Sequence, residues 1–241
     1  MHISDADALR IGKRIWQNES NGTVSGLTAW NSGENFASLG IGHFIWYPKG
    51  VQGPFEESFP KFLAFARERQ AAVPEWLNKS PACPWNSRAE FSAAQNSAQM
   101  RELRQFLSST IDLQAQFMVA RLQQSLAKML NEAGPADRPN VERQFARVAS
   151  TPHGCYALVD YVNFKGEGVL HTERYRGEGW GLLQVLQAMR GTENGPGAAR
   201  EFSNSAAAIL RRRVQNSPPE RHEARWLPGW LNRVHSYSES S

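Results

Sequence analysis

One short segment sets the limits on what this chain can fold into. From Ser25 to Tyr47 it reads SGLTAWNSGENFASLGIGHFIWY, two β-type runs around the turn-rich NSGEN, which predicts a hairpin closed off by PKGVQGP. Nearly everything else has helical spacing, with helices expected before Asn21 and near 56–72, 87–108, 111–133, 139–149, 153–163, 180–190, 198–214 and 223–236. A lone hairpin among helices supplies too few strands for a sandwich or a parallel sheet. The expected class is therefore α+β, mostly helical with one small β-hairpin. We read residues 1–241 as a single domain, with a hairpin subregion at about 23–48 and a helical remainder over 55–237. Breaks fall at NKSPACPWNS, EAGPADRP, NFKGEGVLHTERYRGEG, GTENGPG and QNSPPE, and the YSESS tail reads as frayed.

Composition narrows the function classes. Basic residues outnumber acidic ones by 27 to 23 but form no continuous tract, so no nucleic-acid groove is expected. No apolar run is long enough to span a membrane, and MHISDADALR lacks the basic-then-apolar order of a signal peptide. The compartment stays open: periplasmic or secreted if a leader was removed, otherwise cytoplasmic until release. Cys83 and Cys155 have no zinc-type spacing, and a disulfide and two buried thiols both fit. No metal and no cofactor are expected; HExxH, phosphate-loop and GxSxG patterns do not occur. The eight tryptophans fit core packing for the most part, with sugar stacking as the alternative for some.

A carboxylate stands out on the first helix. Ser4, Asp5 and Asp7 suit its start, and Asn21-Gly22 its end. Projected on a helix, Ala8, Ile11, Gly12, Ile15 and Glu19 form one stripe, while Arg10, Lys13, Arg14 and Gln17 lie opposite. Glu19 thus continues an apolar face at the negative end of the dipole. Both surroundings disfavour a charged carboxylate, which suits a general acid; a glutamate turned outward at a frayed end is the alternative.

Read as a strand, residues 38–45 put Leu39, Ile41, His43 and Ile45 on one face and Ser38, Gly40, Gly42 and Phe44 on the other. Strand glycines mark close approach of a ligand or of another backbone. A tight contact with a helix would explain one glycine. Two beside a hydroxyl favour the floor of a substrate groove.

Glu19 ending the first helix, followed by Ser38-Leu39-Gly40-Ile41-Gly42-His43, resembles the bacteriophage-type lysozymes and endolysins. Those enzymes carry a Glu, then an Asp or Cys, then a Thr before a strand of the form hydrophobic-Gly-hydrophobic-Gly-His. The resemblance covers about residues 8–48, and ALVDYVNFKGEG and LRRRVQNSPPERHEARWL are similar to the family's cleft helix and closing helix pair. It implies a lysozyme-like fold with the hairpin beside an active-site cleft. It also implies cleavage of β-1,4 linkages in peptidoglycan or a related polysaccharide by a monomer. Glu19 matches the catalytic acid, Ser38 the threonine near the attacking water, and His43 a structural histidine.

The chain departs from the family in a longer interval from Glu19 to Ser38, in Ser for Thr, and in having no Asp between them. Glu34 is the carboxylate in that interval and is the expected second catalytic group. Glu167, Glu173 or Glu178 could serve instead, or Glu19 could act alone, as in lytic transglycosylases, whose Gly-x-Gly-Leu-Met-Gln strand ERYRGEGWGLLQVL resembles. That stretch also fits a glycine-rich helix start. Gly40, Gly42, Tyr161, Asn163, Lys165 and Tyr175 are the expected substrate-binding residues. A catalytically silent glycan-binding or inhibitory module remains the alternative from another class.

Overall fold

Ser4 opens the first helix as its sequence predicts: its hydroxyl accepts from the Asp7 backbone N–H at 3.1 Å, while Asp5 and Asp7 occupy the positive end. The computed structural model describes residues 4–53, 56–80 and 82–238. Pro54 in PKGVQGP, Pro81 in NKSPACPWNS, the first three residues of MHISDADALR and the last three of YSESS lie outside the described residues. The described chain divides into two compact units, one running to Met118 and one from Val119 onward.

The N-terminal unit holds α1 (Asp5–Ser20), β1 (Thr28–Ala29), β2 (Ala37–Leu39), β3 (Phe44–Trp46), α2 (Phe59–Glu68), α3 (Glu75–Lys79), α4 (Arg88–Ala93), α5 (Ala98–Ser109) and the start of α6 (Ile111–Glu132). α1 ends at Asn21, left-handed at φ 52°, whose N–H returns to the Gln17 carbonyl. Its buried stripe is Ala8, Ile11, Gly12 and Ile15. A Cβ on Gly12 would lie 2.9 Å from the Ile111 carbonyl oxygen, so glycine is what lets α1 approach the start of α6 this closely.

The β region is a three-stranded antiparallel meander in the order β1-β2-β3, not the expected two-stranded hairpin. Ala37, Ser38 and Leu39 pair with Trp46, Ile45 and Phe44, so residues 40–43 are the connection and not strand interior. Gly40 at φ 72° and His43 at φ 47° reverse the chain there. Phe62, Phe106 and Phe117 pack around Phe44 of β3, which stacks on Phe62 at 5.2 Å. A second aromatic run joins Trp46, Trp76, Trp85, Phe91 and Trp30, and with the buried Trp180, core packing accounts for five of the eight tryptophans.

The helix expected over 87–108 is broken, because Ser97 starts a new one by accepting from the Met100 N–H at 3.1 Å. The short α3 was not expected from the sequence.

The C-terminal unit contains the rest of α6, α7 (Arg138–Val148), α8 (Pro152–Lys165), β4 (Arg174–Tyr175), β5 (Glu178–Gly179), α9 (Leu182–Ala188), α10 (Pro196–Asn216) and α11 (Leu227–His235). α8 is its axis. Thr151 caps it, Pro152 fills a first-turn position, and Gly154 to Tyr161 are all buried. Within that run Asp160 is fully buried. It accepts two hydrogen bonds from the Arg233 guanidinium, both at 2.8 Å, and one from the Tyr237 hydroxyl at 2.5 Å. Burial and the Asp160 carboxylate hold the Tyr237 hydroxyl well above its ordinary range.

The molecule is thus mostly helical with small antiparallel sheets, an α+β protein. Among the described residues no helix is long and apolar enough to cross a membrane. Cys83 and Cys155 are buried free thiols, and burial pushes the Cys83 thiol up to about 12.

Candidate functional site

In the N-terminal unit the structure brings Glu19 and His43 together. Glu19 lies on the last turn of α1, its side chain 14% exposed, and its Oε2 is 3.7 Å from His43 Nδ1. The histidine reaches it because the 40–43 connection folds back. Gly40 N–H donates to the Leu27 carbonyl at 2.8 Å, and His43 N–H to the Gly40 carbonyl at 3.3 Å.

A residue the sequence reading missed fixes this connection. Gln114 on α6 is fully buried, and its Oε1 accepts from the Ile41 N–H at 2.8 Å. Its Nε2 donates to the Leu107 carbonyl at 2.7 Å. The signal was present: Ile111, Gln114, Ala115 and Met118 form an apolar stripe interrupted by one polar residue, the pattern that singled out Glu19.

The two glycines find their explanation here. A Cβ on Gly40 would collide with Gln114 Oε1, and one on Gly42 would lie 2.6 Å from the Phe44 ring and 3.1 Å from Met118 Sδ. Both are buried turn residues pressed on the interior, which corrects their reading as strand glycines flooring a groove. Ser38 is buried at the centre of the meander, paired with Ala29 and Ile45. Glu34 sits in the β1–β2 loop, its Oε2 accepting from Asn31 Nδ2 at 3.0 Å and its carbonyl from Trp30 Nε1 at 2.8 Å.

The other expected sugar contacts belong to the C-terminal unit. Tyr161 is fully buried, edge-on to Phe202, and its hydroxyl donates to the Trp180 carbonyl at 2.8 Å. Burial raises that hydroxyl far above its ordinary range. It is a core residue, not a sugar contact, because its ring and hydroxyl are enclosed between Phe202 and the Trp180 backbone. Asn163 is half-buried. Tyr175 lies 4.5 Å from the Trp180 ring and donates to Glu223 Oε1 at 2.9 Å. Glu223, itself 1% exposed, also accepts two hydrogen bonds from Arg213 at 2.8 Å. Burial would raise the Glu223 carboxyl, but the bonds from Arg213 and Tyr175 outweigh it and hold the group below the ordinary value.

Lys165 ends α8 with its Nζ 3.3 Å from the Trp230 ring centroid and 3.9 Å from that of Phe164. Burial pushes its amine down to about 6, and Arg213 adds to the effect.

Of the remaining carboxylates, Glu167 accepts from Ser125 Oγ at 2.5 Å and pairs with Lys128 at 3.2 Å. Glu178 is exposed and pairs with Arg212 at 3.0 Å. Glu173 is half-buried and accepts from the Gly168 N–H at 3.0 Å. Burial raises its carboxyl, with the Glu167 charge acting in the same direction.

The glycine-rich stretch leads from β5 into α9. Gln184 on the first turn takes the Gly181 N–H on Oε1 and donates from Nε2 to the Gly168 carbonyl, each at 3.0 Å. Among the described residues no group of three or more His, Cys, Asp and Glu could hold a metal ion. No protein-family model, no curated protein and no solved structure matches this chain.

Proposed function

We propose that the chain is a lysozyme-type glycosidase that cleaves β-1,4 linkages in peptidoglycan or a related polysaccharide, with a lysozyme-like arrangement in its N-terminal unit. The observation that carries the reading is Glu19. It is a carboxylate largely withdrawn from water at the end of a helix, with His43 of the Gly-Ile-Gly-His turn at 3.7 Å. Glu19 protonates the leaving glycosidic oxygen as the C1–O bond breaks. His43 is a positioning residue that holds the carboxylate toward the turn. Glu34 is the base that takes a proton from the water attacking C1 from the opposite face, so that the new C1–O bond forms as the old one breaks, while Ser38, buried in the meander, supports that strand and does not meet the water. The excess of basic residues suits an anionic wall polymer.

The test is turnover of purified peptidoglycan by the wild type and by Glu19→Gln. The expected outcome is release of new reducing ends by the wild type and a loss of about 100-fold or more in the variant, the scale of a removed acid catalyst. Anhydro-sugar ends in place of reducing ends would assign the chemistry to a transglycosylase working with Glu19 alone. Absence of wild-type turnover, or its persistence in the variant, would refute the catalytic assignment.

A further inference from the structure

We propose that Lys165 of the C-terminal unit, with the neighbouring tryptophans Trp226 and Trp230, is a binding site for the carboxylate of an acidic saccharide. The first observation is an amine left without an anion of its own. Arg213 and Arg233 lie beside Lys165, and each is matched by its own buried carboxylate: Arg213 by Glu223, Arg233 by Asp160. Lys165 is 9% exposed, and Glu223 acts on it only at a distance: among the described residues no carboxylate within salt-bridge reach and no hydrogen-bond acceptor meets its amine. Its contacts are the faces of Trp230 and Phe164. An amine so placed completes its surroundings when one anion arrives from outside.

The second observation indicates what carries the anion. Trp226 is 45% exposed, the most exposed large aromatic side chain in the described protein. It lies 6.2 Å from Trp230 at an interplanar angle of 34°, and Arg225 stacks on it at 4.6 Å. A flat indole open to water stacks on the C–H face of a pyranose ring. With Arg213 and Arg233 both paired to buried carboxylates, the Lys165 amine is the buried group left to meet the ligand's carboxylate.

The groups facing Lys165 decide the proton balance. Asp160 shares its helix, Arg213 comes from α10, Glu223 from the turn before α11, and Arg233 from α11. The two arginines and the two carboxylates are paired with each other, so the ligand's charge acts mainly on the amine. Binding then draws one proton from solution, which adds to the nitrogen lone pair and makes the ammonium that the carboxylate meets.

The experiment is calorimetric titration of the full chain at about pH 7.5, in two buffers of different ionisation heat, so that proton uptake is measured directly. The probes are N-acetylmuramic acid and N-acetylglucosamine, which differ by one lactyl carboxylate. The expected result is about tenfold or greater preference for the acid, the scale of one charge-assisted hydrogen bond, with uptake approaching one proton. Lys165→Met abolishes both the preference and the uptake. Trp226→Ala, at an exposed position, weakens binding of both sugars while the protein stays folded. Equal affinity for the two sugars, no proton uptake by the wild type, or unchanged binding by Lys165→Met would overturn the proposal. Inorganic phosphate binding as tightly as the sugar acid would overturn its saccharide part. Peptidoglycan turnover is read separately from the calorimetry, so failure here and failure of the catalytic reading are separate results.

Discussion

Replacing Asp160 by asparagine removes one charge and little volume. The carboxylate accepts three hydrogen bonds, two from Arg233 and one from Tyr237, and is fully buried, while the Arg233 side chain is 15% exposed. An asparagine carbonyl still accepts from one of these donors, but its NH₂ group faces the other and the guanidinium loses its counter-charge. Breaking a buried pair by removing one partner costs about 3–5 kcal/mol, because the remaining ion stays in a medium that cannot solvate it. In a unit of this size that corresponds to a fall of roughly 10 °C or more in Tm. Urea titration followed by tryptophan fluorescence measures the change. A second variant separates charge from packing: Asp160→Leu with Arg233→Met removes both ions, and is expected to lose less than Asp160→Asn alone. A loss below about 1 kcal/mol in Asp160→Asn, or a double variant less stable than the single one, would refute the account of this pair as an ion-dependent link between α8 and α11.

Two further outcomes follow from the packing. Lys165 holds its proton more weakly when folded, with its amine down to about 6, than in an unfolded chain. Unfolding therefore takes up a proton above that pH, and stability rises with pH from about 6 toward the ordinary lysine range, by at most about 1.4 kcal/mol per pH unit. Lys165→Met is expected to flatten that slope in urea titrations at a series of pH values; an unchanged slope would contradict it. Gly40→Ala forces a side chain onto a backbone at φ 72° and into Gln114, and is expected to cost about 2 kcal/mol or more in the same assay. A neutral effect would mean that the turn does not depend on Gln114.

The class of the fold was legible because helical spacing and the single β-type region are local properties. Glu19 was legible for the same reason, since its stripe on α1 is visible in residues 8–19. The 38–45 segment was misread because alternating glycines imitate a strand with one bare face. The reversal at Gly40 and His43 depends on Gln114, more than seventy residues away in the chain, and alternation carries no trace of it. Tyr161 is an expected sugar contact on sequence, although CYALVDYV is apolar nearly all round, a pattern that points to a helix buried on every side. Lys165 is an expected sugar contact on sequence, but its surroundings are not local. Its burial comes from Trp230, Arg213 and Arg233, supplied by α10 and α11, so no local pattern could reveal its missing counter-charge.

The amide of Gln114 has a consequence for motion. Its oxygen holds the Ile41 N–H and its nitrogen holds the carbonyl of Leu107, so the turn after β2 and the α5–α6 junction share one set of bonds. Amide hydrogen exchange at Ile41 should therefore follow the opening of the first turns of α6 and not the fraying of a surface loop. Deuterium would enter both segments on one time course, and the histidine that faces Glu19 would keep its place for as long as that junction stays closed.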